Sequence, residues 1–180
     1  MTDLPSARGS LAQAVEGWLA ELGLVPAERS EREGIRAWDL LLDGRRRAGV
    51  RLTLILDPAL ALLAWVHYAP PLTDSLRKAY RQLLRWNDEL PLVKFALAED
   101  DRPVLSAEVA VERLDRDALG LTVARLLAVC DMLYPESAAW TDRISRAEPG
   151  AAGPAGVALL ERYATELGEL VAQPPGAKPD

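Results

Sequence analysis

Apolar positions along the chain change their period several times, and each change marks an element. Between Ser10 and Gly23, Leu11, Val15, Trp18, Leu19 and Leu22 recur at helical steps and form one apolar stripe. Ser10 with Gln13 three residues on reads as a capping box at the start of that helix, and Gly23 as its end. From Arg32 to Tyr68 the period shortens toward two, with breaks at Asp43-Gly44 and Asp57-Pro58, which predicts three strands. In the middle strand Val50, Leu52, Leu54 and Leu56 alternate with Arg51, Thr53 and Asp57. Its neighbours carry apolar residues on both faces: Trp38, Leu40 and Leu42 compete with Ile35 and Leu41, and Leu63 and Trp65 with Leu62 and Val66. The second face is therefore expected to be covered by a partner subunit, a bound peptide or the C-terminal part of this chain.

Helical spacing returns near Thr73, with Leu76, Tyr80, Leu83, Leu84 and Leu90 on one side and Arg77, Lys78, Arg81, Arg85, Asp88 and Glu89 on the other. Asn87 falls inside the apolar stripe, just before Pro91 ends the helix. A buried amide without a partner costs about 1–3 kcal/mol, so Asn87 is expected to be a structural joint, bonded to backbone at the helix end or in the next strand. A hairpin follows, with Val93, Phe95 and Leu97 alternating, an acidic tip at Glu99-Asp100-Asp101, and a return over Val104 to Val111. The third long helix has Asp115 as its N-cap and Leu114 and Leu119 as a hydrophobic staple, with Pro135 as the expected stop.

These segments predict an α+β domain over 1–147 in the order αβββαββα, an antiparallel sheet with helices packed on it. The stretch 148–156 has the Ala, Gly and Pro content of a linker, 157–172 the spacing of an amphipathic helix, and 173–180 the composition of a disordered tail. Together they make a C-terminal helical extension.

Composition narrows the function. The 180 residues are 49% hydrophobic and 27% charged, enough for one sizeable core, and the net charge of -6 repels a polyanionic backbone, so no nucleic-acid partner is expected. A start reading "MTDLPSARGS", without the layout of a secretory signal, and apolar runs shorter than a membrane span point to a cytoplasmic protein with no membrane partner. Catalytic chemistry is sparse: His67 and Cys130 are the only residues of their kinds, Cys130 sits in an apolar helix stripe, and zinc would need a His/Cys cluster. The glycines of "GAAGPAG" follow no strand and precede no lysine, so they form no phosphate loop. Glu99, Asp100 and Asp101 read as a solvated turn, and the arginines of "DGRRRAG" as guards at a hairpin tip. No catalytic residue, cofactor or metal is expected. Trp38, Leu40, Leu63, Trp65 and His67 are the candidate partner or dimer surface, because large rigid side chains on an outer sheet face anchor interfaces.

The segment from Tyr80 to Pro135, "YRQLLRWNDELPLVKFALAEDDRPVLSAEVAVERLDRDALG…CDMLYP", resembles the YbjN family of bacterial sensory transduction regulators. The likeness rests on Leu83, Leu84, Arg85, Asn87, Lys94, Phe95, Ala96, Leu97, Glu108, Leu114 and Leu119, with Asp131, Tyr134 and Pro135 as its last echo. The element order is similar to the type III secretion chaperone-like fold. These resemblances imply a small cytoplasmic homodimer without catalytic residues that binds an unidentified protein partner. The expected function is thus a non-enzymatic, chaperone-like or regulatory protein-binding module. The alternative is a small-ligand sensor whose pocket is lined by Trp38, Trp65, His67 and Tyr68.

Overall fold

A computed structural model of the chain describes residues 4–71, 77–141 and 153–172. Strands β1 (Glu28–Arg32), β2 (Ile35–Leu42), β3 (Val50–Asp57), β4 (Ala61–His67), β5 (Lys94–Leu97) and β6 (Pro103–Ala110) form one sheet in the order β1-β2-β3-β4-β6-β5. Every pairing in it is antiparallel. Helices α1 (Leu4–Glu21), α2 (Arg77–Glu89), α3 (Arg116–Thr141), α4 (Ala155–Arg162) and α5 (Gly168–Ala172), with a 3-10 turn at Val111–Arg113, complete the described elements. Alternation along the strands sends Leu52, Leu54 and Leu56, then Leu62, Ala64 and Val66, to one side. There they meet Val15 and Leu19 of α1, Leu126, Leu127 and Leu133 of α3, and Leu159 and Leu160 of α4 in a single core. The predicted α+β class holds.

One strand more is present than the apolar pattern predicts. β1 reads "ERSER" and is exposed throughout, so no apolar alternation betrays it. It exists because Glu33 (φ 55°) and Gly34 (φ 82°) make a two-residue turn of left-handed backbone, the geometry that folds one strand back on another. Its charges also guard the sheet's edge.

Helix limits differ from expectation at two places. α1 begins at Leu4, so Ser10 lies inside it and not at its start, while its end is as predicted, with Gly23 at φ 70° and Leu24 N donating to Leu19 O at 2.8 Å. α3 begins as predicted, with Ala118 N donating to Asp115 Oδ1 at 2.7 Å, but it runs through Pro135 to Thr141. Pro135 is exposed, and two residues on Ser137 is fully buried, its hydroxyl bonded to Leu133 O and to Tyr68 Oη. That tertiary anchor holds the last turns against the loss of one backbone bond.

In α2 the buried face is Ala79, Leu83, Trp86 and Leu90, rotated from the predicted stripe; Leu84 is 69% exposed and Asn87 half-buried at the margin. The expected start of this helix near Thr73 lies outside the described residues. Asn87 Nδ2 donates to Phe95 O at 3.0 Å, and Phe95 N donates to Asn87 Oδ1 at 2.6 Å. Because β5 is an edge strand, the amide stands where a further strand would pair, and it engages both backbone groups of Phe95. Asn87→Leu keeps the volume and frees both groups. It is expected to lose about 1–3 kcal/mol of stability, read as a lower urea midpoint at unchanged slope.

The C-terminal extension is two helices rather than one, α4 and α5, joined by turns over 163–167. Leu159, Leu160, Tyr163 and Leu167 enter the same core as the sheet. Tyr163 Oη donates to Asp117 Oδ1 at 3.1 Å, and Gly120 leaves room for the phenol where any Cβ would overlap it. Of the predicted linker, residues 148–152 lie outside the described residues, as does the tail 173–180, while Ala155 and Gly156 already belong to α4.

Candidate functional site

The side of the sheet facing away from that core is the candidate site. Strand register fixes which side chains share it: Ala37, Ile55, Leu63 and Glu108 form one cross-strand row, and Asp39, Thr53, Trp65, Ser106 and Lys94 the next. A third row brings His67 beside Val104 and Ala96, with Leu41 opposite Arg51. Leu41, Ile55, Leu63 and Trp65 are each half-buried, yet none of them belongs to the core. Charged Asp39, Arg51, Lys94 and Glu108 stand exposed around them. The C-terminal helices, one of the three covers expected for this face, pack on the opposite side with α3.

The predicted surface residues divide between the two faces. Leu63, Trp65 and His67 are on the outer side. Trp38 (1% exposed) and Leu40 (2% exposed) point into the core, so they cannot belong to a partner or dimer surface. Pairing explains the division, since Trp38 stands opposite Leu54 and Leu40 opposite Leu52, both core residues. Trp38 Nε1 is satisfied by Glu16 Oε1 at 2.6 Å. Tyr68 is also in the core, against Phe95 with ring centroids 4.9 Å apart, so the aromatic pocket of Trp38, Trp65, His67 and Tyr68 is not formed.

Trp65 and His67, two residues apart on β4, lie with ring centroids 6.1 Å apart and planes inclined by 29°. Trp65 Nε1 and His67 Nδ1 are both shielded from solvent without a hydrogen-bond partner among the described residues. Beside them lies a hollow of about 410 Å³ whose lining includes Asp39, Leu41, Arg51, Thr53, His67 and Arg102. The Thr53 hydroxyl donates to Asp39 Oδ1, and Arg102 is paired with Asp100 across the hairpin turn. Burial, then the positive charge of Arg102, lowers the His67 pKa below its ordinary value, although Asp39 and Asp100 oppose the shift and Arg51 adds to it.

That shift carries a sign. With the folded-state pKa below the unfolded one, the unfolded chain takes up a proton first as pH falls below about 6.5. The stability contributed by neutral His67 is therefore complete above that pH and is lost as pH falls toward the folded-state pKa. His67 is the only histidine, so His67→Gln is expected to flatten the difference in urea midpoint between pH 7.5 and pH 5.5.

Away from the sheet, the loop between β2 and β3 exposes Arg45 and Arg46 as a basic tip, as expected, but it is tied to α3 and its third arginine is buried. The Asp131 carboxylate of α3 accepts from three successive backbone amides, Arg45 N at 2.6 Å, Arg46 N at 3.0 Å and Arg47 N at 2.9 Å. Such a run of N–H groups is an anion-binding nest, here filled by the protein's own side chain. Gly44 is required, because a Cβ there would overlap the carboxylate. Arg47 turns inward, 3% exposed, with its guanidinium 4.7 Å from the Tyr68 ring centroid. Next to it Cys130 is fully buried, and burial pushes its thiol pKa up to about 11, against the thiolate a nucleophile needs. Nothing but Asp131's place in a family echo marks the nest in the sequence.

Among the described residues no group of three or more His, Cys, Asp and Glu side chains is placed to hold a metal ion. The segment Arg116–Ala138 is long and apolar enough to cross a membrane, and 67% of its apolar window is buried inside the protein, as in a core helix.

A family model, YbjN, described as "Putative bacterial sensory transduction regulator", matches residues 11–139. No curated protein matches the chain.

Proposed function

The chain belongs to the YbjN family, and from that membership and the open sheet face we propose that it is a non-enzymatic, protein-binding regulatory module of the cytoplasm that acts as a homodimer. The observation that supports this most is the patch of Leu41, Ile55, Leu63 and Trp65, an apolar surface on the far side of a complete core. An apolar center ringed by charges is the anatomy of a protein interface. Trp65 is its natural anchor, since a rigid aromatic ring gains much contact for little lost entropy. In a dimer of this kind the same patch serves both subunits, and a regulator could exchange its twin for another partner on that face.

A second reading has one observation in its favour. The hollow beside His67 gathers Arg51, Arg102 and Asp39 around an imidazole nitrogen with no partner among the described residues, which suits a small polar ligand that would tune the same face.

Light scattering at tens of micromolar tests the main reading. The wild-type chain should return twice its 19.6 kDa mass, and Leu63→Glu with Trp65→Arg should return a single chain mass with little change in the far-ultraviolet spectrum. A monomeric wild type would sink the homodimer.

A further inference from the structure

We propose that the groove between the β2–β3 loop and helices α3 to α5 binds a single-chain amphiphile with an anionic head, of the fatty carboxylate type. The groove encloses about 580 Å³, within the range of about 300–1,000 Å³ usual for small-molecule sites. Its apolar lining includes Met132 of α3, Leu160 of α4, Leu167 and Val171, the last 53% exposed although it is a large aliphatic side chain. Arg45 and Arg46 stand at its rim.

Two features make those arginines a head-group clamp. Their backbone amides are held by Asp131, so both side chains leave a loop that is fixed in place before any ligand arrives, and the loop backbone needs no ordering on binding. Both are exposed, and neither forms an ion pair among the described residues. In a chain of net charge -6, two adjacent cations without carboxylate partners beside an apolar trough complement a ligand with the opposite arrangement. Asp131, the acid of the rim, is turned toward the loop backbone, its two oxygens accepting three N–H groups, and it is paired with neither guanidinium.

The full chain carries only two methionines, Met1 and Met132, so methyl-labelled methionine places one reporter in the groove. Titration with dodecanoate, below the concentration at which it forms micelles, should move the Met132 methyl resonance saturably at one ligand per chain. Each methylene buried strengthens binding about fourfold, so decanoate, two methylenes shorter, should bind about fifteenfold more weakly. The double variant Arg45→Glu, Arg46→Glu changes two exposed side chains and should weaken dodecanoate about tenfold or more at an unchanged melting temperature. Dodecyltrimethylammonium should bind worse than dodecanoate. A Met132 resonance that does not move, equal binding of the cationic amphiphile, or indifference to the double variant would each overturn the proposal. An acidic amphipathic peptide that moves Met132 where dodecanoate does not would make the groove a protein-docking site instead.

Discussion

A chain ending at Ala152 is expected to be less stable than the full chain by at least about 3 kcal/mol, and to unfold at a much lower urea concentration. Leu159, Leu160, Tyr163 and Leu167 are all core residues, and truncating a single buried leucine to alanine already costs about 2–5 kcal/mol. Deleting four such side chains together uncovers Gly120 and the neighbouring apolar face of α3 and removes the Tyr163 bond to Asp117. The cost is reduced because the missing residues no longer have to be ordered, yet a loss of this size is a large share of the 5–15 kcal/mol typical of a domain. Equilibrium denaturation of the two chains checks it. The match to the family ends at residue 139, so a truncated chain as stable as the full one would show that the family segment needs no cover from α4 and α5.

Asp131→Ala should cost about 3 kcal/mol. It deletes the acceptor for three backbone N–H groups at once, and hydrogen bonds to a charged group are each worth about 1.5–3 kcal/mol, less whatever water can restore to a loop with an exposed side. Asp131→Asn keeps one carbonyl acceptor but turns an NH2 group toward the remaining amides, so it should fall between alanine and wild type. The informative measurement is hydrogen exchange at Arg45, Arg46 and Arg47, whose amides should lose protection in the alanine variant before the sheet does. Protection that survives the substitution would mean that the loop is held by Asp43, which accepts from Gly49 N at 2.7 Å, and not by α3.

The outer-face and groove proposals touch different elements, so they fail separately. Substitutions at Leu63 and Trp65 leave the rim arginines in place, and Arg45 and Arg46 lie off the sheet face. If both hold, a regulator with a protein-binding face on one side of its sheet would carry a lipid-responsive groove in its helical layer.

The sequence by itself determined which segments are regular and where most of them turn. β2, β3 and β4 are legible because a strand's side chains alternate, and the Asp115 cap, the Gly23 stop and the bond from Asn87 to the next strand are legible because each depends on residues a few positions apart. β1 was not legible, because an edge strand exposed along its whole length needs no apolar residue. Which face of β2 is core, and so whether Trp38 or Leu41 meets solvent, was decided by pairing with β3, where a step of one residue would exchange every side chain. The continuation of α3 through Pro135, the inward turn of Arg47 and the packing of α4 and α5 on α3 rest on partners far away in the chain, Tyr68 for Ser137 and Asp131 for the loop. Local pattern encodes the cost of each choice at its own position, and only the assembled core supplies the bonds that outweigh that cost.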